Sequence, residues 1–249
     1  MADWNDPRAA RTGFGSAPGQ DGRVAPQSAT YDQGLRKHML SIYNYMTSGV
    51  LLSGIVAMLF AQSGMAQQVM TGGPLTWIIM LSPLAIVFAM SFGQGKFSAG
   101  TLQIMFWSFA TLMGLSLSTI FLVYTSTSIA TTFFATAAAF AGLSLFGYTT
   151  KKDLQGFGTF LIMGVVGLIV AMVANIFIGS GPFAMAISAI GVLIFAGLTA
   201  YDTQRLKMQY YAVAGTEYAS KAVIMGALSL YLDFINMFQF LLSFMGSQD

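Results

Sequence analysis

Two aspartates lie inside the most apolar part of this 249-residue sequence, where an ionisable side chain is costly. Asp202 occurs in GLTAYDTQRLK and Asp233 in LYLDFINMF, and no Lys, Arg or His lies deep in any apolar run to pair with them. A charged Asp at mid-membrane costs about 2.5–3.5 kcal/mol, so such residues usually face a cavity and have a function. The alternative is that each Asp only hydrogen-bonds a neighbouring helix. We take the two aspartates as the candidate site.

The chemistry of the two residues depends on whether their side chains meet. Two carboxylates in contact cannot both ionise cheaply, so they share one proton and titrate in two coupled steps, which makes a proton sensor. Carboxylate oxygens are also the ligands that Ca²⁺ prefers, so protons and Ca²⁺ would compete for Asp202 and Asp233. Asn236, one turn after Asp233, could add an amide oxygen, and Tyr201 and Thr203 flank Asp202.

The aspartates can meet only if the helices that carry them overlap in depth. Asp233 follows Lys221 by 12 residues, about 18 Å along a helix, whereas Asp202 precedes Arg205 by only three. The helix of Asp202 must therefore continue past Arg205, with Arg205 and Lys207 extending their charged ends to water. Consecutive helices joined by one loop are expected to be antiparallel neighbours, which favours the contact.

The composition indicates an integral membrane protein. Hydrophobic residues make up 55% of the chain and charged residues 8%, with a mean hydropathy of +0.68, whereas a soluble domain carries about 25% charged residues. The net charge of +2 is too small to indicate nucleic acid as a partner. Cysteine is absent, which excludes disulfides, thiolate metal sites and cysteine nucleophiles.

Seven apolar runs are long enough to cross a hydrocarbon core of about 30 Å, and each must do so as a helix. They lie at residues 40–61, 75–92, 101–124, 129–148, 157–178, 183–204 and 222–244. Residues 1–33 are rich in Gly, Pro, Ala and small polar residues, and we expect them to form a disordered tail. The sequence therefore predicts an all-α transmembrane domain over residues 34–249.

The basic residues predict the direction of insertion, because all 11 fall on one side of a seven-span arrangement. They are Arg8, Arg11, Arg23, Arg36, Lys37, Lys96, Lys151, Lys152, Arg205, Lys207 and Lys221. The positive-inside rule then makes the N-terminus cytoplasmic and the C-terminus extracytoplasmic. An arrangement with six spans would break this alternation.

Three stretches resemble the Bax inhibitor-1 family, and its bacterial branch in particular. They are YDQGLRKHMLSIYNYM at 31–46, AYDTQRLK at 200–207 and LSLYLDFINMF at 228–238. With the seven spans, the resemblance covers nearly everything after residue 30. It implies a hydrophobic central helix wrapped by the others, and it implies residence in a bacterial inner membrane, with the lipid bilayer as the main partner.

The resemblance also implies a function, a pH-sensitive Ca²⁺ leak controlled by aspartates on the last two helices, which correspond to Asp202 and Asp233. Some relatives use a basic residue on the second helix in gating, but the second span here has none, and Arg205 is a weaker candidate counter-ion. Bacterial relatives are also associated with a membrane-anchored AAA protease. A non-conducting modulator of such a protease is therefore the alternative function. No cofactor is expected beyond Ca²⁺ as a transported or bound ion.

This sequence lacks the residues that enzymes and other protein classes with similar features require, so we do not predict an enzyme. A retinal protein requires a buried Lys on its last span, and a phosphate loop would need Gly in place of Met90 and Ser or Thr in place of Phe97. An intramembrane aspartyl protease would carry G-x-G-D at an aspartate. His38, the sole histidine, cannot form a triad or a zinc site alone. A proton-coupled transporter would be marked by a pair of broken helices or by an inverted repeat, and this sequence shows neither.

Overall fold

The computed structural model describes residues 25–69 and 73–247, and the elements in these residues are helices. In chain order they are α1 (Ala25–Gln62), α2 (Met65–Val69), α3 (Pro74–Gly93), α4 (Ala99–Leu117), α5 (Ile120–Val123), α6 (Ser126–Thr149), α7 (Gln155–Ile178), α8 (Gly181–Val213) and α9 (Tyr218–Met245). Seven segments are long and apolar enough to cross a membrane, with α4 and α5 together forming the third. The predicted all-α, seven-span fold is confirmed.

Two helices extend well beyond the spans predicted from hydropathy. Helix α1 begins at Ala25, inside the stretch 1–33 predicted as a disordered tail. Residues 1–24 lie outside the described part of the chain, so their disorder stays a prediction. Helix α8 continues to Val213 rather than ending near residue 204, and its 33 residues span about 50 Å. It is therefore longer than the hydrocarbon core is thick.

Short polar residues and a glycine set several of the helix ends. The side chains of Ser98, Thr125 and Ser180 accept hydrogen bonds from backbone N–H groups in the first turns of α4, α6 and α8. Such caps satisfy donors that have no partner within the helix. Helix α7 ends at Gly179, whose φ of 66° is left-handed and suits glycine. These signals make the turn between α7 and α8 short, so the two helices are neighbours.

Helix α9 is the centre of the bundle. Of its most apolar 18-residue window, 61% is buried, against 11–39% for the other six spans. Helices α8, α1, α6 and α4 pack around it, while α3 packs mainly on α4 and α7 mainly on α8. This arrangement is the wrapped central helix that the family resemblance implied. It places Asp233, on α9, in the interior of the molecule.

A buried polar contact ties three of these helices together. The hydroxyl of Ser53 on α1 lies 2.6 Å from the carbonyl oxygen of Ala110 on α4 and 2.6 Å from the hydroxyl of Tyr231 on α9. Ser53 and Tyr231 are fully buried. Between apolar helices, such hydrogen bonds and close packing supply the association that the hydrophobic effect supplies in water. They fix α9 against α1 and α4.

Two glycines bring neighbouring helices close to α8 next to the candidate site. A Cβ on Gly147 of α6 would overlap the backbone carbonyl of Ala200, and a Cβ on Gly158 of α7 would overlap the ring of Tyr201. The absence of a side chain therefore allows α6 to contact the backbone of α8 directly. These contacts hold the segment of α8 that carries Asp202.

Candidate functional site

The structure places Asp202 and Asp233 on adjacent helices in the bundle interior. Their exposed fractions are 6% and 5%, and their carboxyl groups are close enough to interact electrostatically. The overlap in depth arises because α8 continues through Arg205 to Val213 before the chain turns back into α9.

Asp202 is held by a cation and a hydroxyl group. Its Oδ2 accepts from Nη2 of Arg205 at 3.1 Å and from the hydroxyl of Ser229. Ser229 in turn accepts from the same Nη2 at 3.0 Å, so the three side chains close a small network between α8 and α9. The guanidinium of Arg205 also lies 5.6 Å from the ring centroid of Tyr201. The Arg205 side chain is 45% exposed, so it can move without unfolding its helix.

Asp233 has very different surroundings. Its Oδ2 is buried and has no hydrogen-bond partner among the described residues. The charges that act on it are those of Asp202 and Arg205, and Arg205 is already paired with Asp202. A buried carboxylate oxygen without a donor is expensive when ionised. An ionised Asp233 would therefore leave a buried negative charge whose Oδ2 has no hydrogen-bond donor among the described residues.

The predicted supporting residues divide into one that joins the site and three that do not. Arg205 joins it, as described above. Thr203 instead donates to the carbonyl of Thr199 at 2.8 Å, and its hydroxyl oxygen lies 3.3 Å from that of Ser144 on α6. Consecutive residues in a helix point about 100° apart, which is why the neighbours of Asp202 face other helices.

Two of these three need correction in detail. Tyr201 packs against Gly158 of α7 and lies beside Arg205, so its contact with the site is indirect. Asn236 was expected to add its amide oxygen on the face of Asp233, and the bond seen for its side chain is local, because its amide nitrogen donates to the carbonyl of Leu232 in its own helix at 2.8 Å.

Ser229 is the site residue that the sequence reasoning missed. It precedes Asp233 by four residues, and residues at that spacing lie on the same face of a helix. That spacing was the available signal, but a serine in an apolar helix more often bonds to its own backbone. Only the position of α8 shows that its hydroxyl group points to Asp202.

An open cavity of about 600 Å³ leads to the network from the end of the bundle where the basic residues lie. It is bounded by α3, α8 and α9, and its lining includes Arg205, Ser229 and the polar residues Ser91, Gln94 and Gln209. At its rim Nζ of Lys221 on α9 lies 3.5 Å from the carbonyl of Gln94, just after α3. Helix α3 itself carries no charged residue. We refer to this cavity as the vestibule.

The residues of the site do not fit a resident metal ion. Calcium takes six to eight oxygen ligands, and the described part of the chain holds no group of three or more His, Asp or Glu residues suited to a metal. Oδ2 of Asp202 is already satisfied by Arg205 and Ser229.

Comparison with known proteins identifies the family. A family model described as "Inhibitor of apoptosis-promoting Bax1" matches residues 35–249, which include every span. The chain belongs to the Bax inhibitor-1 family. The resemblance inferred from three short stretches is thereby confirmed, since the match includes Asp202 and Asp233.

Bacterial members of the Bax inhibitor-1 family align with almost the whole chain. A protein of Caulobacter vibrioides is 49% identical over 228 residues, covering 86% of this chain and 90% of the relative. A Rickettsia prowazekii protein is 42% identical over 222 residues, covering 89% and 94%. The inner membrane protein YbhL of Escherichia coli strain K12 is 41% identical over 234 residues, covering 93% and 98%.

This chain differs in one feature from the gating arrangement that the family resemblance implied for some relatives. That arrangement puts a basic residue on the second span, but the second span here is the uncharged helix α3. The cation beside Asp202 comes instead from the same helix, three residues further on. Arg205 is thus the counter-ion, although the sequence made it only the weaker candidate.

Proposed function

We propose that this protein is a pH-sensitive Ca²⁺ leak of a bacterial inner membrane, gated by the pair Asp202 and Asp233. The observation that carries the proposal is that two neighbouring buried carboxyl groups have different hydrogen-bond and ion-pair partners. Asp202 has a cation and a hydroxyl donor, whereas Oδ2 of Asp233 has no donor among the described residues. A proton on Asp233 removes the repulsion between them, and its loss restores it.

The gate in this proposal has two states that differ in proton occupancy. With a proton on Asp233, one negative charge at Asp202 faces one positive charge at Arg205, and the interior is electrically balanced. Without that proton, two negative charges face one positive charge in a medium of low dielectric constant. The excess charge favours either separation of α8 from α9 or entry of a cation between them.

The path for Ca²⁺ in this proposal begins at the vestibule. A cation that enters meets Arg205 and Ser229 before it can reach Asp202, so Arg205 must leave for the ion to pass. The two carboxylates supply too few oxygens for tight retention. A leak needs such weak binding, because an ion must be able to leave the site as well as to enter it.

The location in the proposal rests on two observations. The relative in Escherichia coli is named as an inner membrane protein, and the seven spans suit a multi-pass membrane protein. The distribution of the basic residues supports a cytoplasmic vestibule and N-terminus in this proposal, by the positive-inside rule.

The test is Ca²⁺ flux into dye-loaded liposomes that contain the purified protein, measured in steps from about pH 5 to pH 8, because a coupled pair of carboxyl groups titrates in more than one step. We expect flux from the wild type to depend on pH, and this dependence to be lost in Asp202→Asn and in Asp233→Asn. Glu217→Gln is the matched control, because Glu217 is an exposed acid at the start of α9 whose side chain makes no capping bond. It should behave like the wild type.

Absence of flux from folded wild-type protein at every pH would overturn the leak and leave the alternative of a non-conducting modulator of a membrane-anchored AAA protease. The same variants separate the two functions. Asp233→Asn should change flux in a leak, but it should leave binding to a protease largely intact in a modulator, because Asp233 is buried and cannot touch a partner protein.

A further inference from the structure

A second polar cavity, of about 690 Å³, lies beside the aspartate site between the α6–α7 loop and α8. Four basic side chains line it, and of the described residues that surround it only one is acidic. The basic residues are Lys151, Lys152, Arg205 and Lys207, and the acidic residue is Asp153. We call it the basic cavity. Its volume lies in the range of small-molecule sites.

The loop that forms the basic cavity is fixed to α8. The side-chain amide of Gln204 accepts from the backbone N–H of Leu154 at 2.9 Å and donates to the carbonyl of Lys152 at 2.8 Å. The carboxylate of Asp153 accepts from the backbone N–H of Gln155 at the start of α7. Among the described residues, the one acid in the lining thus bonds to the backbone at the start of α7.

Among the described residues, the lysines of the basic cavity have no anionic partner within 4 Å. Lys207 donates to the carbonyl of Tyr148 at 2.7 Å and lies over its ring. In the described residues, the ion pair within 4 Å is that of Arg205 with Asp202, and none involves Lys151, Lys152 or Lys207. A loop that is fixed in place and carries several unpaired basic residues at the end of membrane-spanning helices is typical of an anion-binding site.

We propose that the basic cavity binds the phosphate group of an anionic ligand, and that this phosphate competes with Asp202 for Arg205. Lys supplies compact positive charge to phosphate, and the planar guanidinium of Arg can bind two phosphate oxygens at once. The phosphate can belong to the headgroup of an anionic phospholipid, since the cavity lies where the helices leave the bilayer, or to a free phosphate compound in solution.

The competition follows from the position of Arg205, which lines both the basic cavity and the vestibule. Only Nη2 of Arg205 contacts Asp202 and Ser229. A phosphate that binds two N–H groups of the guanidinium from the basic cavity draws Arg205 away from these partners, and the negative charge of Asp202 opposes that binding. Coupling of this kind is reciprocal, so removing the carboxylate of Asp202 must strengthen phosphate binding. That phosphate binding also regulates the leak rests on the proposed function, whereas the binding and the competition do not.

Native mass spectrometry of the full-length protein tests the site, with phosphatidylglycerol as the anionic probe and phosphatidylcholine as the zwitterionic one. We expect the wild type to retain phosphatidylglycerol about tenfold more strongly, given the contribution of a few basic residues near a membrane surface. The double variant Lys151→Gln with Lys152→Gln should lose this preference. Lys96→Gln, which removes a basic residue of another loop on the same side, is the matched control and should keep it.

Two further measurements identify the source of the phosphate and test whether it competes with Asp202 for Arg205. Displacement of phosphatidylglycerol by inorganic phosphate would support a site for free phosphate compounds, and resistance to displacement would support a lipid headgroup. Asp202→Asn should bind the probe several-fold more tightly than the wild type, and an unchanged affinity would overturn the competition. Equal preference in the double variant and the wild type would overturn the site itself. Circular dichroism verifies that each variant is folded, and no arm depends on Ca²⁺ flux.

Discussion

Asp202 and Asp233 are alike in type and burial but not in energetic cost. Asp202 has hydrogen-bond donors from Arg205 and Ser229, whereas Oδ2 of Asp233 has none among the described residues. A buried polar group that lacks its partner lowers stability more than a satisfied one raises it. Asp233 is thus a residue that the fold tolerates for a reason other than stability.

A single substitution tests this asymmetry. We expect Asp233→Asn to stabilise the protein by about 2 kcal/mol at high pH, because the amide cannot ionise in the interior. The gain should shrink as pH falls, since only the ionised carboxylate suffers the burial penalty. Asp202→Asn should give no such gain, as it removes the partner of Arg205. Thermal unfolding in detergent across a pH series measures both variants, and equal effects of the two substitutions would contradict the assignment.

At the residue scale, the sequence was sufficient to find the aspartates and insufficient to find their neighbours. Asp202 and Asp233 stand out because charge is rare in apolar runs. Thr203 and Asn236 were expected near them from proximity along the chain, but they face α6 and their own helix backbone. The direction of a side chain depends on how each helix is rotated against the next. Ser229 was missed for the same reason.

At the scale of helices, the contact between α6 and α8 depends on one glycine. Gly147 touches the backbone of Ala200, two residues before Asp202, whereas Gly142 on the same helix has no atom within 4 Å of the position of a Cβ. The sequence contains 27 glycines and does not indicate which of them lie at a close approach. This distinction exists only once the helices are paired.

The two glycines provide a matched pair of variants. Gly147→Ala should destabilise the protein by about 1–3 kcal/mol, because the added methyl group must push α8 away from α6. Gly142→Ala should change stability by no more than about 0.5 kcal/mol, since nothing opposes its methyl group. Thermal unfolding of both purified variants is the measurement, and a similar loss in both would show that α6 does not rely on this contact.

At the scale of the whole molecule, the spans at the two extremes of hydropathy have the opposite extremes of burial. Helix α7 is the most apolar of the seven spans and the least buried, at 11%, while α9 is the least apolar and the most buried, at 61%. Lipid is as apolar as the side chains themselves, so nothing drives an apolar helix inward. The sequence could predict the number of spans from hydropathy, and the family resemblance implied a hydrophobic central helix, but neither indicated that the least apolar span, α9, lies at the centre.

The direction of insertion is a testable property of the whole chain. Ser247, just after α9, bonds with Thr125 and Ser128 at the start of α6, at the end of the bundle away from the vestibule. We therefore expect an alkaline phosphatase fusion at the C-terminus to be active, since that enzyme folds only outside the cytoplasm. The same reporter at the N-terminus should be inactive. Activity with the opposite pattern would invert the assignment of the vestibule to the cytoplasm.

The absence of charge on α3 has a consequence for how the protein responds to membrane potential. The potential does work only on charge that moves through its field, about 2.3 kcal/mol per elementary charge for each 100 mV. Helix α3 is the wall of the vestibule that packs mainly on one neighbour, and it carries no formal charge from Pro74 to Gly93. Any motion of α3 that widened the vestibule would be electrically silent, so in the proposed leak the voltage across the membrane would act on the ion and on the moving charge of Arg205, but not on α3.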